Sequence, residues 1–280
     1  MEAHLRKVAV VTGSSRGGGK AIAIEMGRAG WTVYVTGRSS KQRPNEEGVP
    51  GTIEETAEEV SRSGGLGKCV PCDHSKTADV DRLVTQVKAE QGRIDLLVNN
   101  AWGGYEHHDV LQFNQPFWLQ TIGRWDAMFN RGVFATILTS SKFGHMFFSQ
   151  KNGIIVNTVA WLQGNYLGNL YYDTAKSAII RSTVGMASEL RKAGVAVVAI
   201  APGFMRTERV LAAHKERPFD LSKTESPTYL ARAVRAISQD TNIIDSSGQL
   251  LYVGDLARRY GFTDEDGTQP SSFKTPGSEA

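Results

Sequence analysis

Short apolar runs alternate with longer amphipathic segments along most of the 280 residues, and no other feature narrows the possible folds as far. Val8 to Thr12, Thr32 to Thr36, Leu66 to Pro71, Ile94 to Asn99, Ile154 to Thr158 and Val195 to Ala201 read as strands, with a last short one at Gln249 to Val253. The Ile94 run is too uniformly hydrophobic for a half-exposed strand, which points to a sheet buried on both faces. Between the runs, segments such as Ala78 to Gln91 carry Val80, Leu83, Val84 and Val87 at helical spacing. Further helices are predicted from about Gly19 to Ala29, from Trp125 toward Phe148, from Leu170 to Ala193 and from Thr228 to Gln239. Strand and helix in alternation give an α/β fold, a doubly wound parallel sheet in three layers. No linker or repeat divides it, so residues 1–263 are expected to form one domain. Residues 102–123 are predicted as a long cleft loop, 203–227 as an irregular segment able to act as a substrate lid, and 264–280 as a flexible C-terminal tail.

Composition excludes several function classes. The 32 basic and 29 acidic residues are interspersed, and a net charge of +3 does not call for nucleic acid. No apolar stretch approaches the ~20 residues of a membrane span, so a cytoplasmic protein is expected. Cys69 and Cys72 have redox spacing, but they lie in a predicted strand and not at a helix start, so they read as buried, reduced thiols. His107, His108 and Asp109 lack a third ligand at zinc spacing, and no metal is expected.

The turn after the first strand reads Thr12-Gly13-Ser14-Ser15-Arg16-Gly17-Gly18-Gly19 and opens a helix. Glycines there let the backbone approach a pyrophosphate, whose charge then meets the helix N-terminus. The second strand ends Gly37-Arg38-Ser39 with no acid to take a ribose hydroxyl. Arg38 and Arg16 would instead face a 2′-phosphate, with Ser15 and Ser39 beside them, which predicts NADP(H).

Tyr172 and Lys176 are four residues apart, one helical turn, and so share a face. An ammonium near the phenol is expected to lower its pKa and make it a general acid and base.

These residues together resemble the short-chain dehydrogenase/reductase family, of the Rossmann type, from about residue 6 to 255. Gly13, Gly17 and Gly19 fall in register with that family's turn, and Gly18 stands where an isoleucine is common. The resemblance implies that Asp73, with His74, contacts adenine, that Asn100 and Ala101 border the cofactor, and that Asn130 anchors a relay water. It also implies that Tyr172 and Lys176 are the catalytic pair and that Pro202, Gly203, Met205 and Thr207 contact the nicotinamide end. Pro116-Phe117-Trp118 and Asp255 to Gly261 resemble the dehydrogenase/reductase member 1 branch. The departure is at the serine that ordinarily holds the substrate oxygen: Val159 and Ala160 stand there, without a hydroxyl. Losing one such donor costs about 10²–10³ in rate. Thr158 faces the wrong side of its strand to replace it, and Gln163, Asn165 and Tyr166 are candidate substitutes.

Trp102, Ala160, Trp161, Gln163, Tyr166 and Phe204 are expected to line the substrate pocket, whose aromatic wall suits a bulky or aromatic carbonyl compound. The expected activity is hydride transfer between NADP(H) and a carbonyl/alcohol pair. Reduction of an imine, which needs no serine-held oxygen, and an NADP(H)-binding sensor or scaffold with little turnover are the rivals. The resemblance further implies a homodimer or homotetramer joined through the long helices at 125–148 and 170–193.

Overall fold

In a computed structural model, residues 6–45, 48–106, 113–160 and 165–272 are described. Seven strands, β1 (Val8–Thr12), β2 (Thr32–Gly37), β3 (Leu66–Pro71), β4 (Leu96–Asn99), β5 (Gly153–Thr158), β6 (Val195–Ala201) and β7 (Leu250–Tyr252), form one parallel sheet in the order β3-β2-β1-β4-β5-β6-β7. The order reverses between β1 and β4, which opens a crevice at their carboxyl ends, where α/β sheets bind ligands.

Helices cover both faces: α1 (Gly17–Arg28), α2 (Ile53–Arg62), α3 (Thr77–Gln91), the single turn α4 (Gly123–Trp125), α5 (Ala135–Gln150), α6 (Leu170–Leu190), α7 (Glu208–Glu216), α8 (Pro227–Gln239) and α9 (Val253–Tyr260). Strand alternation sorts the apolar residues into two cores. Ala9, Val11, Val33, Val35 and Val98 pack under α1 and α8, whereas Val8, Val10, Tyr34, Leu97 and Val197 pack under α3 and α5. All five β1 residues are buried, so this strand carries no polar face.

Four features differ from the sequence expectation. Residues 126–134 between α4 and α5 form π-helical turns, which no apolar spacing announces. The lid segment holds a real helix, α7, capped by the Thr207 side chain accepting from the Val210 amide. Residues 264–272 are no tail: Asp264 is buried and accepts from the Ser226 amide at the start of α8, and Ser272 is buried against the α9 start. Cys69 is exposed and only Cys72 is buried, because β3 is an edge strand with open sites along it.

Candidate active site

Beyond β1 the chain turns through Gly17, whose φ of 57° favours glycine, into α1. A Cβ on Gly19 would lie 2.4 Å from the Gly13 carbonyl oxygen and 2.5 Å from Asn100 Nδ2, so only glycine lets α1 start against the turn. Thr12 Oγ1 accepts from the amides of Asn100 and Ala101 at 2.9 Å each, and Asn100 Nδ2 donates to the Gly13 carbonyl at 3.1 Å. Asn100 and Ala101 thereby brace the turn from β4. The N-terminus of α1 has no side-chain cap from Arg16. The Gly17 amide instead donates to both carboxylate oxygens of Glu208, at 3.2 and 3.0 Å. An anion thus already sits on the helix end that a pyrophosphate would use. Met205 and Thr207 stand beside the same turn, with Met205 Cε 3.5 Å from the Cβ position of Gly18.

At the other end of the crevice lies an open cleft of about 750 Å³ whose lining includes Arg38, Ser39, Asp73, Asn130 and Arg131. Arg38 is paired with Glu106, which also accepts from Arg131 Nη1 at 2.9 Å. Arg16 reaches across the chain, donating to Ser39 Oγ at 3.0 Å and to the carbonyls of Pro50 and Gly51 at 2.9 and 3.0 Å. Asp73 accepts from the Ser75 amide and hydroxyl at 3.1 and 2.6 Å.

Helix α6 begins at a side-chain cap: Asn169 Oδ1 accepts from the Tyr172 amide at 2.9 Å while Nδ2 donates to the Phe113 carbonyl at 2.7 Å. One turn carries Tyr172 and Lys176, both buried, onto one face under the 102–106 turn. Lys176 Nζ lies 3.6 Å from the Trp102 ring centroid and 5.5 Å from that of Tyr172. Tyr172 is ringed by Trp102 edge-on at 5.4 Å, Phe113 at 5.2 Å and Tyr105 nearly parallel at 6.1 Å between centroids. The Tyr105 hydroxyl donates to the Tyr172 hydroxyl at 3.2 Å. Val159 packs in this same apolar cluster, and the Thr158 hydroxyl donates away, to the Asn99 carbonyl at 3.2 Å.

Burial dominates the ionisation of the pair. It pushes the Lys176 ammonium down to about 7, opposed by the attraction of the Trp102 face for the charged form. It pushes the Tyr172 phenol well above its ordinary value, and Tyr105 adds to this. The expected lowering by Lys176 is therefore absent: in this closed arrangement the ammonium faces an indole, and Tyr172 stays a phenol.

The family model described as short chain dehydrogenase matches residues 7–218. The chain belongs to the short-chain dehydrogenase family. It is 37% identical over 278 residues to dehydrogenase/reductase SDR family member 1 of Mus musculus, covering 93% of this chain and 84% of the relative. It is 29% identical to a 3-oxoacyl-[acyl-carrier-protein] reductase of Synechocystis, covering 90% of this chain and 97% of the relative. Among solved structures, a metagenomic short-chain oxidoreductase in complex with NADP superposes with a TM-score of 0.69 at 27% identity, covering 89% of this chain and 97% of that one. A short chain dehydrogenase from Mycobacterium thermoresistibile, at 24% identity and 99% coverage of both chains, shares the fold with a TM-score of 0.78.

Two expected site residues make hydrogen bonds within the protein. His74 is buried under the cleft, with Nε2 2.8 Å from Thr36 Oγ1 and Nδ1 3.0 Å from Thr139 Oγ1; burial pushes it down to about 4, and it serves the core. Asn130 Nδ2 donates to Asp126 at 2.7 Å, and the residue lines the Arg38 cleft from within the π-helical turns. Ala160 is half-buried beside Tyr172's cluster. Tyr166 is exposed, and Phe204 packs at a tilt against Phe219, 5.4 Å between centroids. Gly203 packs on Glu225, whose carboxyl burial pushes up to about 7. Trp161, Gln163, His107, His108 and Asp109 lie outside the described residues. Glu106, Glu208 and Tyr105 escaped the sequence reading. Glu208 follows a Thr cap and so announces a helix start, but its partner is 191 positions away.

Proposed function

We propose that this short-chain dehydrogenase is an NADP(H)-dependent oxidoreductase acting on a carbonyl/alcohol pair, with a bulky or aromatic substrate. The observation that supports the proposal is that Tyr172 and Lys176, buried on one face of α6, lie against Trp102, the residue that follows the Asn100-Ala101 brace of the glycine turn. The residues fit a dinucleotide: the Gly17 amide already holds a carboxylate where a pyrophosphate would bind, and Gly19 leaves no atom in the way. Gly13 to Gly19 would hold the pyrophosphate, Arg38, Arg16 and Ser39 the 2′-phosphate, Asp73 the adenine side, and Met205 and Thr207 the nicotinamide side. When bound, the nicotinamide supplies or accepts the hydride. Tyr172 gives its proton to the carbonyl oxygen in reduction and takes it back in oxidation. Lys176 holds the nicotinamide ribose and, once turned from Trp102 toward Tyr172, draws the phenol's pKa down. Trp102 and Phe113 keep water from the centre. The NADP preference rests on the two arginines and on the NADP-bound solved relative. The absence of a hydroxyl at Val159 keeps one second reading alive, reduction of an imine.

Exposed Phe134, Ile137 and Phe148 on the helical stretch through α5, and Val184 on α6, support association into a dimer or tetramer through those helices. The test is NADPH oxidation with aryl ketones, diketones and cyclic imines, repeated with Tyr172→Phe. Tyr172-dependent ketone turnover is expected. Cofactor binding without any Tyr172-dependent turnover would sink the reading in favour of a sensor.

A further inference from the structure

The pair of hydroxyls at the centre points to a catalytic group that the family pattern does not contain. Tyr172 needs a companion donor, since a proton donor alone leaves the substrate oxygen free to swing. Val159, at the position of the missing donor, is 3% exposed and packs its methyls against the tyrosine's cluster. Thr158 is committed to the Asn99 carbonyl. Among the described residues, the side chain whose hydroxyl reaches the Tyr172 hydroxyl is Tyr105, at 3.2 Å. Two hydroxyls at this separation can both lie within about 2.8 Å of one further oxygen, the three forming a near-equilateral triangle.

The turn that bears Tyr105 is held by hydrogen bonds and ion pairs. The Gly103 amide donates to the Arg131 carbonyl at 3.3 Å and the Glu106 amide to the Gly103 carbonyl at 3.0 Å. The Tyr105 carbonyl accepts from Arg209 Nη1 at 3.4 Å, and the neighbouring Glu106 carboxylate holds Arg38 and Arg131. The ring itself is packed between Trp102 and Phe113, at 6.4 Å from each centroid. A donor held this way costs little reorganisation when charge develops on the oxygen it faces.

We propose that Tyr105 is a catalytic residue that replaces the missing serine, donating a hydrogen bond to the substrate carbonyl oxygen while Tyr172 transfers the proton. Tyr105 keeps its own proton throughout: without substrate its O–H donates to Tyr172, and with substrate it donates to the carbonyl oxygen. This rests on the proposed carbonyl chemistry. It assigns the substrate-holding role to the 102–106 turn, and it makes a phenol, not an aliphatic hydroxyl, the second donor.

The experiment combines kinetics with spectroscopy. With NADPH and aryl ketones, Tyr105→Phe should lower kcat/KM by about 10²–10³, with NADPH affinity by fluorescence titration and the melting temperature unchanged. Val159→Ser should restore Tyr105→Phe by about tenfold or more, because the new hydroxyl serves the same oxygen. In Tyr172→Phe protein loaded with NADPH, the infrared carbonyl stretch of bound ¹³C-labelled acetophenone should rise in frequency when Tyr105→Phe is added, reporting a lost donor without turnover. Tyr172-dependent ketone turnover that survives Tyr105→Phe within about threefold, or a carbonyl stretch that does not move, overturns the role of Tyr105 alone. No Tyr172-dependent ketone turnover overturns the parent reading as well.

Discussion

The Glu208 carboxylate accepts from the Gly17 amide through both oxygens, at 3.2 and 3.0 Å, so α7 supplies the anion that neutralises the start of α1. In the proposed cofactor site a pyrophosphate must displace it. Glu208→Ala should therefore tighten NADPH and NADH alike, by about threefold to tenfold, the worth of one exchanged charge-assisted hydrogen bond. Fluorescence titration checks this; unchanged affinity for both would show that Glu208 does not compete.

The proposed NADP preference places Arg38 at the 2′-phosphate. Arg38→Ala should weaken NADPH by about tenfold to a hundredfold and NADH by less than about threefold, because only the former carries a 2′-phosphate. Glu106→Gln removes the acid paired with Arg38 and should tighten NADPH selectively. Equal effects on the two cofactors in either variant would refute the assignment.

Lys176 carries a pH signature in stability. Its folded-state value of about 7 lies below the unfolded 10.5, so between those limits the unfolded chain holds a proton that the folded one has released. The penalty is full below pH 7 and fades as pH rises toward 10.5. Lys176→Met should stabilise the fold at pH 6 by on the order of 2 kcal/mol after loss of the Trp102 contact, seen as a higher melting temperature, and the gain should fade toward pH 10. Thermal scans of both proteins at the two pH values decide it, and a constant difference would contradict it.

His74 acts in acid. Burial holds it at about 4, with Asp73 and Asp79 lifting it only partly, against 6.5 unfolded. Its stability contribution is complete above pH 6.5 and is lost as pH falls toward 4. In urea unfolding, native protein should lose about 3 kcal/mol more than His74→Gln between pH 7.5 and 4. Parallel losses would exclude His74 as the acid-sensitive group.

The doubly wound sheet was legible because its central strands are apolar on both faces, and β1 and β6 begin and end at the residues expected. The glycine turn was legible for a similar reason: close approach leaves no alternative to glycine at position 19. Helix α7 was not, since it buries no residue fully and so shows no apolar stripe. The π turns around Asn130 were hidden because an α-helix and a π-helix draw on the same residue types. The aromatic closure over Tyr172 and Lys176 depends on a loop's path, and pairs such as Tyr105 with Tyr172, 67 positions apart, leave no periodic trace.

The Trp102 indole leaves no room for side chains at either of two glycines: an added Cβ would fall 2.6 Å from it at Gly104 and 2.5 Å from it at Gly132. The indole that covers Lys176, its centroid 3.6 Å from Nζ, is therefore held flat between two stretches of backbone, and any larger residue at either glycine would push that cover off the lysine.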